Sequence, residues 1–180
     1  MQTEINNALD TLNQGGIILY PTDTIWGIGC DATNTDAIAK IFKIKKREDS
    51  KALISLVANK QQLKAITKTI PNLDITSSPT TIIYQNVTGL SQNVLSENGS
   101  AAIRIVKDKF CKKLILSFGK AIVSTSANIS GKIAPKQFSE ISKEITNNVD
   151  YIVNLRQNEL MAIPSSILMI NEDTSITKIR

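Results

Sequence analysis

The stretch from residue 16 to residue 56 constrains the fold most, because short apolar runs flank a helical pattern in it. Residues 17–20 (IILY) form an apolar run that is typical of a buried strand. Pro21 ends that run, since proline has no backbone N–H to donate to a neighbouring strand. Residues 34–46 then have the apolar spacing of an amphipathic helix, and the mostly apolar residues 52–57 form the next strand. The stretch therefore predicts a strand–helix–strand unit.

Strands and helices alternate in the same way along most of the chain of 180 residues. The predicted helices cover residues 4–13, 34–46, 60–67, 108–118 and 136–146, with Asn34 or Thr35 and Asp108 as N-caps. The predicted strands cover residues 17–20, 52–57, 80–84, 101–106, 121–123 and 151–153, and a hairpin joins residues 166–170 and 175–179. This alternation predicts an α/β sheet with an antiparallel end. Because no repeat or linker interrupts it, residues 1–180 are predicted to form a single domain.

The composition excludes several classes of active site. The chain contains no histidine and two cysteines, Cys30 and Cys111. Without histidine there is no His-based triad and little basis for a zinc site, and two cysteines without a CxxC motif give no disulfide framework. An enzyme of this composition must rely on cations, hydroxyls, carboxylates or groups of its substrate.

The charge and the aromatic content bear on the class of partner. A net charge of +5 allows anionic ligands to bind, whereas 4% aromatic residues supply few stacking surfaces for single-stranded RNA. No apolar run approaches the length of a bilayer span, and the first residues lack a basic region followed by an apolar one. We therefore expect a cytoplasmic protein without a membrane partner.

Polar side chains follow the first predicted strand, at the end where open α/β sheets bind ligands. Thr22, Asp23 and Thr24 place two hydroxyls and a carboxylate there. Asp23 is interpreted as a catalytic carboxylate, a metal contact or a turn former. Gly27 and Gly29 allow the backbone to approach a neighbour closely.

Basic residues end the helix of residues 34–46. Lys45, Lys46 and Arg47 are either a solvated helix end whose cations complement the helix dipole, or ligands of a polyphosphate. Arg104 lies inside the apolar run AAIRIV. It therefore indicates either an exposed edge strand or a buried arginine that pairs with an anion.

The run STSAN at residues 124–128 places three hydroxyls and an amide directly after an apolar strand. Polar groups in this position need hydrogen-bond partners, so the run is either a cap and turn cluster or part of a ligand site. Trp26 and Cys30 are interpreted as packing residues of the core.

The motifs YPTDTIWGIGCDA, KxR (Lys45 and Arg47), AAIRIV and STSAN occur in an order that resembles the YrdC-like family of threonylcarbamoyl-adenylate synthases, the TsaC type. The resemblance extends from residue 17 to about residue 170. It implies a twisted sheet of mixed parallel and antiparallel strands, flanked by helices and with a concave basic face. It also implies that the extra C-terminal domain of longer members is absent.

The resemblance implies an enzyme that joins L-threonine, bicarbonate or carbon dioxide, and ATP into threonylcarbamoyl-adenylate, with release of pyrophosphate. That product feeds the modification of tRNAs that read codons beginning with A, so a downstream threonylcarbamoyl-transferase machinery is an expected partner. Weak binding of RNA or tRNA is expected as well. The expected nucleophile is the carboxylate of N-carboxythreonine, and Mg²⁺ is expected to be carried by ATP without a metal site on the protein.

The resemblance also assigns site residues, motif by motif. The residues expected to act in catalysis and to hold ATP are Lys45, Arg47, Ser126 and Asn128, with Ser124 and Ser165 as further nucleotide contacts. The residues expected to form the threonine pocket are Thr22, Thr24 and Arg104, with Arg104 on the threonine carboxylate.

The sequence departs from the family pattern in places, and other functions remain open. Glu48 and Ala52 replace prolines that are frequent after KxR, Lys107 replaces a proline after AAIRIV, and residues 154–157 replace a glycine-rich approach to Ser165. The first alternative is a paralogue that acts on another carbamoyl compound or has lost the synthase activity. The others are an RNA-binding module without catalysis and a housekeeping protein that contacts a partner through its basic face.

Overall fold

The predicted sheet is present in the computed structural model, which describes residues 1–46, 53–71, 78–171, 173 and 175–180. Within those residues the strands are β1 (Ile18–Tyr20), β2 (Gly27–Gly29), β3 (Ile54–Val57), β4 (Thr80–Tyr84), β5 (Ala101–Ile105), β6 (Ile122–Ser126), β7 (Tyr151–Ile152), β8 (Ser166–Ile170) and β9 (Ile176–Lys178). Their order across one continuous sheet is β7-β1-β2-β6-β3-β5-β4-β8-β9. The pairs β1–β7, β3–β5 and β4–β8 are parallel and the others antiparallel, which confirms an α/β fold with a mixed sheet.

Helices cover both faces of this sheet. They are α1 (Gln2–Asn13), α2 (Thr35–Ile44), α3 (Lys60–Ile66), α4 (Lys109–Phe118) and α5 (Lys143–Thr146). Of the two predicted caps of α2, Asn34 is the one observed: its side chain accepts from the N–H of Ala37 at 3.0 Å. Asp108 caps α4 in the same way through the N–H of Cys111, and Gly119 ends α4 with a φ of 77°, which glycine adopts without strain.

Side chains that alternate along the central strands divide the core into two layers. Val57, Ile103 and Val123 belong to the apolar cluster that also contains residues of α2, α3 and α5. Leu56 and Ile122 point to the opposite face, where α1 and α4 pack. The strand register places polar residues on this second face as well, because Leu56 lies opposite Arg104 and Ile54 lies opposite Ser124.

The sequence did not predict strand β2. It predicted only that Gly27 and Gly29 allow the backbone to approach a neighbour closely. Both glycines are strand residues between β1 and β6. A Cβ on Gly29 would collide with the carbonyl oxygen of Val123, and one on Gly27 would lie 3.0 Å from Ser124 Oγ. The close approach is therefore confirmed, and its partner is the neighbouring strand β6.

The predicted continuous helix over residues 136–146 is wrong. The segment forms a short 3₁₀ turn at Phe138–Glu140 and then the four-residue helix α5. The side chain of Glu140 folds back to accept from the N–H of Lys136 at 2.8 Å, and Ser142 has the extended backbone of an N-cap. Apolar side chains of both turns still pack into the core, so the apolar spacing is satisfied without a continuous helix.

The predicted strand at residues 52–57 is observed from Ile54 to Val57, and residue 52 lies outside the described residues. Strand β6 extends beyond the predicted residues 121–123 and includes Ser124 and Ser126. Ser124 and Ser126 of STSAN are therefore strand residues two positions apart, whose side chains point to the same face of the sheet.

Candidate active site

A small pocket of about 50 Å³ opens on the face of the sheet that carries α1 and α4. Its walls come from the turn after β1, from β5 and β6, and from the segment before β8. Six of the predicted site residues line it: Thr22, Thr24, Arg104, Ser124, Ser126 and Ser165. The structure thus brings the three predicted threonine residues and three of the predicted nucleotide residues into one pocket.

The turn after β1 is held together by the hydroxyl of Thr22. Thr22 Oγ1 accepts from the N–H of Thr24 at 3.0 Å and of Ile25 at 3.2 Å, and it donates to the carbonyl of Ile25 at 2.7 Å. Thr24 Oγ1 lies 2.9 Å from Thr22 Oγ1. The turn therefore uses the full capacity of the Thr22 hydroxyl, whereas the Thr24 hydroxyl retains capacity for a ligand.

Arg104 is buried and paired with an anion of its own chain. Strand β5 lies between β3 and β4, so the alternative of an exposed edge strand is wrong. Arg104 Nη2 lies 3.0 Å from Asp23 Oδ1, in an ion pair whose side chains are 3% and 7% exposed. Asp23 Oδ2 accepts from the N–H of Lys107 at 3.1 Å. Asp23 is therefore a turn residue that fixes Arg104.

At least one buried donor of Arg104 remains for a ligand. Arg104 Nε is buried and has no hydrogen-bond partner among the described residues. A buried N–H without a partner loses its hydrogen bonds to water and gains none in return, which costs free energy. A ligand acceptor in the pocket would therefore form a stabilising hydrogen bond with it. A carboxylate suits this position, because the guanidinium geometry and the charge both match it.

The predicted nucleotide residues Lys45, Ser126 and Asn128 form a second cluster, which is bonded internally. Lys45 is 3% exposed, and its Nζ donates to the carbonyls of Ser126 at 2.6 Å and of Asn128 at 2.8 Å. Ser126 Oγ donates to Asn128 Oδ1, and Asn128 Nδ2 donates to the carbonyl of Lys132 at 2.6 Å. Lys45 is therefore a structural support of the STSAN run rather than a solvated helix end.

The rest of the basic group divides between the surface and the undescribed chain. Lys46 lies at the surface and pairs with Glu144 of α5 at 2.7 Å. Arg47 lies outside the described residues, so its predicted role at ATP stays a prediction.

Ser165 lies deep in the pocket wall. Its hydroxyl is 2.8 Å from that of Thr81, and Arg180 donates to its carbonyl through Nη2 at 3.0 Å. Sequence reasoning missed Arg180, although it lines the pocket and adds a second guanidinium there. The predicted hairpin contains the signal, because its second strand runs back along β8 and the backbone of Arg180 bonds to that of Ile167, two residues after Ser165.

Two buried groups lie behind the turn. Cys111 Sγ donates to the carbonyl of Pro21 at 3.4 Å, and Tyr20 OH donates to the carbonyl of Val123 at 3.3 Å. Burial raises the pKa of the Cys111 thiol well above its usual value, and the nearby Asp108 carboxylate raises it further. Burial also raises the pKa of Tyr20. Both groups are therefore neutral near pH 7, and their hydrogen bonds support the backbone behind the pocket.

Within the described ranges, no group of three or more aspartate, glutamate or cysteine side chains is arranged to hold a metal ion. No helix in the same part of the chain is long and apolar enough to span a bilayer.

Trp26 and Cys30 are both fully buried, which confirms both as core residues. The ring centroids of Trp26 and Phe138 are 5.2 Å apart.

Comparisons with known proteins identify relatives over nearly the whole chain. The sequence model of the Sua5/YciO/YrdC family, described as "Telomere recombination", matches residues 10–180. The threonylcarbamoyl-AMP synthase of Blochmanniella pennsylvanica is 31% identical over 169 residues, which is 89% of this chain and 85% of the relative.

Solved structures share the fold. Sua5 of P. abyssi, complexed with L-threonine, matches 98% of this chain with a TM-score of 0.85 and 22% identity, and this chain spans 53% of it. YciO of E. coli matches 100% of this chain and 89% of its own length, with a TM-score of 0.83 and 21% identity. The chain spans about half the length of the Sua5 protein and most of the length of YciO and of the synthase relative.

Proposed function

Because the chain belongs to the Sua5/YciO/YrdC family, we propose that it is an L-threonylcarbamoyladenylate synthase. The enzyme converts L-threonine, bicarbonate or carbon dioxide, and ATP into threonylcarbamoyl-AMP and pyrophosphate. The observation that carries the proposal is the buried Nε of Arg104, which has no hydrogen-bond partner among the described residues and lies in a pocket that also presents the hydroxyls of Thr24 and Ser126. This pocket suits an amino acid that has a carboxylate and a hydroxyl.

We place threonine against the turn after β1. Its carboxylate accepts from Arg104 Nε, which supplies the missing partner of that donor. Its hydroxyl bonds to Thr24 Oγ1, since the Thr22 hydroxyl is already committed to the turn. Asp23 keeps the guanidinium in place through the ion pair at 3.0 Å.

We place ATP at the STSAN run, next to the threonine position. Ser124 and Ser126 line the same pocket as Arg104, and Ser165 closes it from the other side. Asn128 contacts Ser126, and Lys45 donates to the carbonyls of both residues. A phosphate that binds here therefore replaces some of these hydrogen bonds with bonds to itself. Arg47 is the second cation of the KxR motif and is proposed to contact the phosphates.

The chemistry needs positioning and charge stabilisation rather than a protein nucleophile. The threonine amine adds to carbon dioxide and loses a proton to solvent, which forms a carbamate. A carbamate oxygen then attacks the α-phosphorus of ATP, and the bond from that phosphorus to pyrophosphate breaks. Cations and hydroxyl donors around the pocket stabilise the developing charge. The reaction is also accelerated because the reactants are held side by side.

We propose that Mg²⁺ arrives bound to the ATP phosphates. The described pocket walls offer hydroxyls and guanidinium groups, and the carboxylate nearest to the pocket, that of Asp23, is engaged with Arg104 and Lys107. This donor set suits a metal ion that the phosphates and water coordinate.

The proposed reaction also sets the surroundings in which the chain acts. The product is a mixed anhydride, which water hydrolyses, so a transferase must consume it promptly. We propose that this is the threonylcarbamoyl-transferase machinery of tRNA in the cytoplasm, and that residues 1–180 act as one domain with weak affinity for tRNA.

The test is pyrophosphate release from ATP with L-threonine and bicarbonate, and then with each omitted or with serine in place of threonine. Release that needs both substrates and falls with serine is expected. A folded protein that binds ATP but releases no pyrophosphate would instead be a paralogue for another carbamoyl compound. A protein that binds RNA with a steep salt dependence but binds no ATP would be an RNA-binding module.

A further inference from the structure

The backbone of Arg156 is strained. Its φ is 55°, in the left-handed region that residues with a side chain adopt rarely and glycine adopts freely. Strain of this kind persists only where surrounding contacts fix it. The contacts of this side chain therefore indicate why an arginine stands at this position.

The guanidinium of Arg156 joins three parts of the chain. Its Nη1 donates to the carbonyl of Thr22 at 3.0 Å and to Asp108 Oδ2 at 2.8 Å, and its Nε donates to Glu159 Oε2 at 2.7 Å. Asp108 is itself fixed, because its other oxygen caps α4 through the N–H of Cys111 at 2.8 Å. The side chain of Asp108 is 12% exposed and that of Arg156 is 30% exposed, so water screens this pair only in part.

These contacts connect two walls of the pocket. Thr22 belongs to the turn that carries Thr24, and Arg156 belongs to the segment that leads to Pro164 and Ser165. Arginine can satisfy a carbonyl and a carboxylate at the same time, because its donors are fixed in one plane. A glycine at this position would remove the strain but would leave the carbonyl of Thr22 without this donor.

We propose that Arg156 is a positioning residue for the threonine site. It does not contact the substrate. It fixes the Thr22 carbonyl, and with it the turn that holds the Thr24 hydroxyl, against the rigid start of α4. This inference rests on the proposed function for its link to threonine, whereas its link to the turn can be measured independently.

The first experiment compares Arg156→Gly with the unchanged protein by calorimetric binding of threonine and of ATP. The threonine dissociation constant is expected to rise about tenfold, the effect typical of losing a charged hydrogen bond, while that for ATP changes less than about twofold. Kinetically, the threonine KM rises with little change in kcat. The melting temperature of Arg156→Gly is not expected to fall below that of Arg156→Ala. Both variants lose the guanidinium, but only glycine removes the backbone strain.

Further variants separate positioning from general support. Arg156→Lys keeps the charge and is expected to restore part of the threonine affinity. Asp108→Asn keeps a good helix cap but weakens the ion pair, so it is expected to act in the same direction as Arg156→Gly. Glu159→Gln is the matched control, since Glu159 contacts the same guanidinium but not the turn, and threonine affinity is expected to stay within about twofold of the original.

The second experiment does not depend on the proposed function. Amide hydrogen exchange at Thr24 and Ile25, whose N–H groups bond to Thr22 Oγ1, is expected to be about tenfold faster in Arg156→Gly and unchanged in Glu159→Gln. Unchanged exchange in Arg156→Gly would overturn the inference. Faster exchange with unchanged threonine affinity would overturn the link to the substrate, whereas an original protein that binds no threonine would overturn the proposed function alone.

Discussion

The two halves of the candidate site differ in how their polar groups are satisfied. On the side where we propose that threonine binds, the threonine half, Arg104 is fixed by Asp23 and still has a buried Nε without a partner among the described residues. On the side where we propose that ATP binds, the nucleotide side, Lys45, Ser126 and Asn128 bond to one another and to nearby carbonyls. The first half is therefore arranged to accept a ligand as it stands, whereas the second must exchange existing bonds for bonds to ATP.

Such a division allows one site to combine selectivity with turnover. A rigid donor set discriminates between amino acids because a ligand without the matching acceptor leaves the donor unpaired. A cluster that is bonded internally loses little when the nucleotide leaves, since its groups find their former partners again.

Replacing the guanidinium of the threonine half is expected to have the largest effect. Arg104→Lys keeps a charge beside Asp23 but loses the planar donor set, so threonine affinity should fall about 100-fold. ATP affinity should stay within about threefold, because no described contact joins Arg104 to the STSAN run. Calorimetric titration of both ligands checks this, with the melting curve as a control for folding. An equal loss of affinity for both ligands would mean that the site is not divided as described.

On the nucleotide side, Lys45→Ala is expected to reduce turnover sharply and also to lower the free energy of unfolding. The substitution removes the charged donor of two partly buried carbonyls, which is unfavourable by about 2–3 kcal/mol. Asn128→Ala is the matched comparison: it should reduce turnover about 10- to 100-fold, with a smaller change in stability since Asn128 is only partly buried. Denaturant unfolding and pyrophosphate release distinguish the two variants. Full activity in both would show that the site has been assigned wrongly.

The two threonines of the turn offer a finer comparison. Thr22→Val removes a hydroxyl that makes several bonds inside the turn, so it should destabilise the protein by about 1–2 kcal/mol. Thr24→Val should raise the threonine KM about five- to tenfold with little change in stability, because that hydroxyl has one partner in the turn. Melting curves and KM values are the measurements. A reversal of these effects would mean that Thr22 is the ligand contact.

The smallest effect concerns alkaline pH. Burial raises the pKa of Cys111 behind the threonine half, so the thiolate forms first in the unfolded chain, whose thiols ionise near pH 8.5. Stability from this group is fully present below that pH and is lost as the pH rises above about 9. Denaturant unfolding at a series of pH values checks the sign, and native Cys111 should resist a thiol reagent at pH 8. Rapid modification of the native protein would show that the threonine half opens readily.

Much of the fold could be predicted because local patterns decide it. The predicted helix around α2, the strand β4 and the cap at Asp108 agree with the structure within a few residues. Strand β2 was not predicted because its glycines have low strand propensity, and its place depends on the fit against Val123. The apolar residues of segment 136–146 have the spacing of a helix, but the segment forms two separate short turns because polar caps interrupt it.

The site shows the same limit. Motif order was sufficient to predict residues that the structure gathers into one pocket, such as Thr24, Arg104 and Ser126, although their roles remain predictions. Motif order could not identify the partner of Arg104, because the ion pair with Asp23 joins residues 81 positions apart. The contact from Arg156 to the carbonyl of Thr22 is likewise invisible in sequence, since it spans 134 positions.

The order of the strands has a consequence for how the protein is made. Strand β1 lies between β2 and β7, and β4 lies between β5 and β8, so strands from the early part of the chain wait for partners from residues 151–170. On the ribosome, the edges of β1 and β4 stay unpaired until those late strands emerge, and an unpaired strand edge can join another chain. The Thr22 turn is synthesised early but receives Arg156 and Ser165 only near the end of translation. The pocket that Thr22 and Ser165 line is therefore complete only near the end of translation.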